Sequence, residues 1–331
     1  MDISRIRKAV SNPSKAYHYL KENFQLIHLL ENPYLFITSR YPIGTHVFER
    51  DWDILVILDT CRVDALSIVS EEYSFLNDIN SIHSLGGTSP EWIAHTFSEE
   101  YSDELSNTAY ITSNPHAKTV LEDRKVMSDH SSAARRFYRY GNWNPISIDD
   151  LGLYDPVFSY QSEVDLQGVS HLGGVTPPRY MTDRTISVAR REDYDQLVVH
   201  YMQPHYPWVS NAIVRNRDIR SYEERPERIK SKGRDRVFNA YLDDLRYVLD
   251  DVQILLNNVD AETVAISADH GDAFGEYGLY GHGPGRFHPH VRNVPWVETT
   301  AKDSGEYEVG LEPPSTTNDS LTDQLEALGY K

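Results

Sequence analysis

Two acidic residues stand directly after apolar runs in this chain. Asp59 follows residues 53–58 (DILVIL), and Asp269 with His270 follows residues 264–268 (VAISA). In an open α/β sheet ligands gather just beyond the carboxyl ends of the strands, so two aspartates 210 positions apart can meet. A single strand-end aspartate is as readily a helix cap as a ligand. Joined to an Asp-His-Gly run, the pair reads as the cradle of a divalent cation. Carboxylate oxygen mixed with neutral imidazole suits Mn or Zn first, with Ca or Mg open.

A cation at that place could also activate a hydroxyl, because coordination lowers the cost of forming an alkoxide. Residues 84–90 (SLGGTSP) offer one at Thr88 or Ser89. Gly86 and Gly87 let the backbone turn tightly, and Pro90 can open the next helix, whose positive end favours an oxyanion. The same spacing is met by an ordinary Ser/Thr cap. Residues 200–208 (HYMQPHYPW) place His205 between two prolines, which fix the loop's course and lower the entropy cost of presenting the ring. His205 there could hold a substrate oxygen or protonate a leaving group. His200, at a strand end, reads equally as a structural residue. His282 sits in GHGPG (281–285), where a backbone can approach a ligand closely or simply turn in solvent. His288 and His290 are rim candidates. In Asp59-x-x-Arg62-x-Asp64, Arg62 could clamp an anion or pair with an acid, and Asp64 could cap the helix or hold Arg62.

The elements that must position these groups follow from periodicity. Runs at 53–58, 106–112, 196–202 and 263–268 are expected strands; 60–69, 90–97, 129–140 and 234–258 are expected helices. In the last, Val237, Tyr241, Leu245, Val248, Val252 and Leu255 recur every three or four residues and make one apolar stripe feeding a strand. Helix followed by strand is the grammar of an α/β domain. The expected layout is a helical lead-in over 1–50, one catalytic domain over 51–300 and a C-terminal segment over 301–331. Residues 143–184 supply loops and a side layer, and a last helix covers 319–328.

Composition narrows the classes. The chain has 331 residues, 40% of them hydrophobic, and is globular rather than disordered. The net charge is -18, with 23 Arg against 9 Lys. Such an acidic surface suits a salt-loving host and excludes nucleic acid, which needs a basic footprint. One cysteine, Cys61, rules out a disulfide framework or a multi-cysteine zinc site. The charged N-terminus and the missing apolar span lead to the expectation of a cytoplasmic protein with no integral membrane segment.

Taken together, LVILDTCRVDAL, TSP, QPHYPW, SADHGDAFGEYGLYGHG and VRNVPWV resemble the alkaline phosphatase and sulfatase superfamily, especially its shorter archaeal sulfatase-like proteins. The resemblance implies a three-layer α/β/α sandwich with a mostly parallel central sheet. It implies Asp59, Asp269 and His270 as metal ligands together with Thr88, the nucleophile. It also implies His205 and His282 on the substrate anion, where Arg62 is a further candidate from its own spacing, and VRNVPWV as the strand that closes the domain. Thr88-Ser89-Pro90-Glu91-Trp92 departs from the sulfatase C-x-P-S-R pattern, and a threonine cannot be oxidised to formylglycine. Cys61 stands where calcium sulfatases carry a further aspartate. The reading is therefore a phosphate-ester or phosphodiester hydrolase or transferase acting on a small anion, a glycan or a lipid head group. A sulfatase of sulfated saccharide is the alternative, and an inactive anion- or saccharide-binding protein the third reading.

Overall fold

The computed structural model describes residues 31, 33–126, 141–160 and 175–310. Its centre is a strand with no exposed residue: β1, Ile54–Leu58, is buried at all five positions. A run of five aliphatics can be satisfied only where both faces are covered, and each side chain buried there is worth about 2 kcal/mol over exposure. β1 accordingly lies in the middle of a seven-stranded sheet. The other strands are β2 (Asn80–His83), β3 (Thr108–Thr112), β4 (Leu153–Pro156), β5 (Gln196–Tyr201), β6 (Ala261–Ser267) and β9 (Asn293–Ala301), in the order β2-β9-β6-β1-β5-β3-β4. β1 pairs in parallel with β5 and β6, and β3 with β4 and β5, while β9 runs antiparallel to β6 and β2. A two-stranded ribbon, β7 (Ala273–Phe274) with β8 (Tyr280–Gly281), stands apart.

Neighbouring residues of a strand face opposite sides. On β5, Tyr201 hydrogen-bonds Thr182 of one helix at 2.9 Å, whereas the adjacent His200 packs edge-on against Trp92 of another. Helices therefore cover both faces, which is the three-layer sandwich. They are α1 (Val63–Val69), α2 (Ser89–Thr96), α3 (Pro178–Arg191) and α4 (Arg234–Leu256). α4 packs on α3 and α1, and its stripe from Val237 to Leu255 is buried throughout.

Several boundaries differ from the sequence expectation. β3 starts at Thr108 rather than 106, because Ser106 and Asn107 close the short helix Ser102–Leu105. α1 begins at Val63 because Thr60 is left-handed and breaks any earlier start. The stretch expected to give loops, 143–184, holds β4 and the first half of α3. That helix opens on Pro178 and buries Tyr180, Met181, Ile186 and Val188 among charged neighbours. The expected helices at 129–140 and 319–328 lie outside the described residues, as does most of the 1–50 lead-in, of which 33–38 is helical.

Candidate metal centre

Register brings the strand-end groups level. Ile57 pairs with Ser267, so Asp59 and Asp269 each sit two residues beyond one rung. Ile57 also pairs with His200, and Thr112 with His200 from the other side, which puts Asn114 at the same height. Asp59, His200 and Asp269 are fully buried, and their ligand atoms lie within 4.8 Å of one another. His200 Nε2 is 3.9 Å from Asp59 Oδ2 and 3.7 Å from Asp269 Oδ2. Asp59 Oδ1, Asp269 Oδ2 and His200 Nε2 have no hydrogen-bond partner among the described residues. Three converging buried polar atoms without partners are costly, and two carboxylates side by side repel. A divalent cation relieves both penalties.

His270 completes the cluster from one side. Its Nε2 lies 3.5 Å from Asp269 Oδ2 and 3.9 Å from Asp59 Oδ1. Its Nδ1 faces the Gly271 carbonyl at 3.0 Å, which fixes the proton on Nδ1 and leaves the lone pair on Nε2. On His200 the far nitrogen, Nδ1, meets the Tyr110 hydroxyl at 3.0 Å. Burial drives both imidazoles down to about 4, so both rings are neutral and able to ligate a cation. Burial, reinforced by the Asp269 charge, pushes the Asp59 carboxyl well above its ordinary range. Burial pushes Asp269 the same way, but the His270 and His200 imidazoles bring it back below.

The hydroxyl that reaches this cluster belongs to Ser89. Ser89 Oγ donates toward Asp59 Oδ2 at 3.2 Å and lies 3.4 Å from His270 Nε2. Thr88, expected as the nucleophile and metal ligand, is instead the N-cap of α2, and its side chain makes no cap bond. Among the described residues no hydrogen bond joins its hydroxyl to the cluster. The helix starts at Ser89, and it is this first helical hydroxyl that faces the cluster.

Above the cluster stand His205 and His282, both with buried side chains, their ring centroids 5.2 Å apart. His282 is 4.4 Å from the His270 ring, and its Nδ1 lies 3.3 Å from Asp272 Oδ1. Burial and the neighbouring imidazoles hold His205 well below its ordinary value. Of the two roles open to Arg62, the ion pair is the one observed. Arg62 is 1% exposed, bonded to Asp64 at 2.6 and 2.8 Å, to Glu276 at 3.1 Å and to the Asp272 carbonyl at 3.0 Å, so as a substrate anion clamp it is corrected. His288 is no rim residue either: it is buried and caps a turn by accepting from the His290 N–H.

Sequence reasoning passed over several members. Asn114 Nδ2 donates to Asp59 Oδ2 at 2.8 Å, holding one lone pair of that carboxylate. It follows β3 as Asp59 follows β1, so the strand-end rule could have found it. Glu91, fully buried on α2, accepts from the Gly87 N–H at 2.6 Å and the Gly285 N–H at 3.0 Å. It ties the hydroxyl loop to the loop that carries His282.

No protein-family model matches the chain, and no curated protein matches it. Solved structures do. The integral membrane protein lipooligosaccharide phosphoethanolamine transferase A from Neisseria meningitidis is 14% identical, with a TM-score of 0.45, over 81% of this chain and 50% of that one. This chain thus spans about half that protein's length. The C-terminal periplasmic domain of phosphoethanolamine transferase EptC from Campylobacter jejuni is 14% identical, with a TM-score of 0.43, over 74% and 77%. A putative sulfatase from Bacteroides thetaiotaomicron is 11% identical, with a TM-score of 0.42, over 84% and 70%. At such identities no activity passes from those proteins to this one. The cytoplasmic expectation is withdrawn, because periplasmic domains are among the matched chains and an acidic surface does not distinguish compartments. Among the described residues no helix is long and apolar enough to cross a membrane.

Proposed function

We propose that this chain is a metal-dependent hydrolase or transferase of phosphate esters or phosphodiesters, of the alkaline phosphatase and sulfatase superfamily, with Ser89 as its nucleophile. The observation that carries the reading is Ser89 Oγ beside both Asp59 and His270 at the mouth of three partnerless ligand atoms. Asp59, His200 and Asp269 would hold the cation, with His270 beside them. A bound cation supplies Lewis-acid stabilisation of the charge growing on the phosphoryl oxygens. Ser89 attacks phosphorus and its proton leaves along the Asp59 hydrogen bond. The ester P–O bond breaks, leaving a phosphoserine that water or an acceptor alcohol releases in a second step. His205 and His282 hold substrate oxygens, and the Asp272 carboxylate orients His282 for a proton to the leaving group. The nitrogen ligand favours Zn or Mn over Ca. The substrate class that this set of residues suits is a small phosphate ester, or a phosphate on a glycan or lipid head group.

The test strips the protein with a chelator, reloads it with Zn, Mn or Ca, and assays aryl phosphate, aryl phosphodiester and aryl sulfate. Phosphate or phosphodiester turnover with Zn or Mn is expected. Ser89→Ala should lower it by at least about 10³-fold, whereas Thr88→Ala stays within about tenfold. Turnover of the sulfate alone overturns the reading, and the reverse ranking of the two variants overturns the nucleophile.

A further inference from the structure

The turn that carries Asp59 is strained and held from outside the site. Thr60 has φ 62°, in the left-handed region. A β-branched residue there is a true outlier, and such strain persists only where the surroundings impose it. Its backbone N–H donates to Asp269 Oδ1 at 3.3 Å, and that aspartate's other oxygen, Oδ2, is the one facing the cluster. The turn closes on itself through the Cys61 N–H, which donates to the Leu58 carbonyl at 3.0 Å, and a hydroxyl braces its opposite side. Tyr241 Oη, from the first half of α4, donates to the Thr60 carbonyl at 3.0 Å and accepts from the Arg62 N–H at 3.0 Å, spanning Cys61. The Tyr241 ring is 1% exposed and wedged against Phe274, Phe238 and Trp208, at centroid distances of 4.9, 5.6 and 6.1 Å. It has little room to yield.

We infer that Tyr241 is a positioning residue for the metal centre: by clamping the Thr60–Arg62 turn it holds Thr60 left-handed, so that the Thr60 N–H fixes Asp269 Oδ1 and Asp59 is presented beside Asp269 Oδ2. This rests on the metal centre proposed above. The clamp lies on the side of the sheet covered by α4, whereas the hydroxyl loop leads into α2 on the other side. It also explains why Tyr241 is a tyrosine within an otherwise apolar stripe, since phenylalanine would fill the same space but leave the Thr60 carbonyl and the Arg62 N–H without their partner.

The full-length chain, stripped of metal, is titrated with Zn²⁺ by calorimetry, with far-UV circular dichroism on each variant. Tyr241→Phe is expected to weaken Zn²⁺ binding about 10- to 100-fold, as loss of an orienting partner does. Adding Thr60→Gly to it should restore most of the affinity, because glycine takes a positive φ without being held there. Native-like Zn²⁺ affinity in Tyr241→Phe overturns the inference. So does weakened binding that Thr60→Gly leaves unrestored, which would mark a general packing role. If Tyr241→Phe does not fold, the double variant decides: folded and Zn²⁺-binding supports the clamp, folded and non-binding overturns it. A native chain that takes up no Zn²⁺ removes the metal centre itself, a different failure from an unaffected Tyr241→Phe.

Discussion

At the scale of single residues, the Asp-His-Gly run shows why a glycine must follow the histidine. A Cβ built on Gly271 would lie 2.0 Å from the His290 carbonyl oxygen, a backbone atom that cannot swing aside. The Gly271 N–H meanwhile donates to the Val291 carbonyl at 2.8 Å, locking the Asp-His-Gly loop to the short helix Pro289–Arg292 that precedes β9. Gly271→Ala should therefore cost about 3 kcal/mol in urea unfolding, and a loss below about 1 kcal/mol would show that loop and helix separate easily. Asp59 and Asp269 were legible in the sequence because each ends an apolar run. The choice between Thr88 and Ser89 was not, since one step at a helix start turns a side chain by about 100° and spacing alone cannot fix where the first turn begins. His200 was equally ambiguous from its position, and only the Tyr110 contact on its far nitrogen shows which atom is left to face the carboxylates.

Among the elements, α4 was the most legible because its stripe needs only a period of 3.6, and the structure buries each stripe residue. α3 was hidden: four arginines and an aspartate dilute its apolar face. β4 was hidden by shortness, four residues ending in proline at the sheet's edge. α4 also buries an acid that its pattern marks as polar. Asp244 accepts the Ser210 N–H at 2.9 Å, and burial pushes its carboxyl up to about 7 despite that bond. The folded value lies above the ordinary 3.8, so between those limits the native chain keeps a proton that the unfolded chain has lost. The stability this contributes is complete below 3.8 and is lost as pH rises through about 7. Asp244→Asn keeps the acceptor oxygen and cannot ionise, so its urea midpoint should fall less steeply than the native chain's across that window. Parallel profiles for the two proteins would show that Asp244 is already ionised when folded.

Over the whole molecule, charge and chemistry are set at opposite ends of one sheet. Asp59, Asn114, His200 and Asp269 gather at or just past the carboxyl ends of the strands. The amino ends carry Asp53, Asp195, Asp260 and Glu262 around a hollow that also holds Lys302. With 50 acidic residues against 32 basic ones, the surplus cannot be paired, and surface pairs such as Arg246–Glu72 at 2.8 Å are each worth less than about 1 kcal/mol. Added salt weakens those pairs and the net repulsion together, and at -18 the repulsion is the larger sum. The thermal midpoint is therefore expected to rise steeply with KCl up to about 1 M, where the screening length is down to about 3 Å. Beyond that only exclusion of solute from the surface remains, so the rise should flatten to the slope given by sucrose at matched osmolality. A midpoint that falls with KCl would mean that the ion pairs outweigh the surplus charge, and equal slopes in KCl and sucrose from the start would mean that repulsion is negligible. Neutralising the acid-rich end with Asp260→Asn and Glu262→Gln should reproduce part of the salt effect at low ionic strength while leaving Zn²⁺ affinity unchanged, because that end is separated from the metal centre by the length of β6.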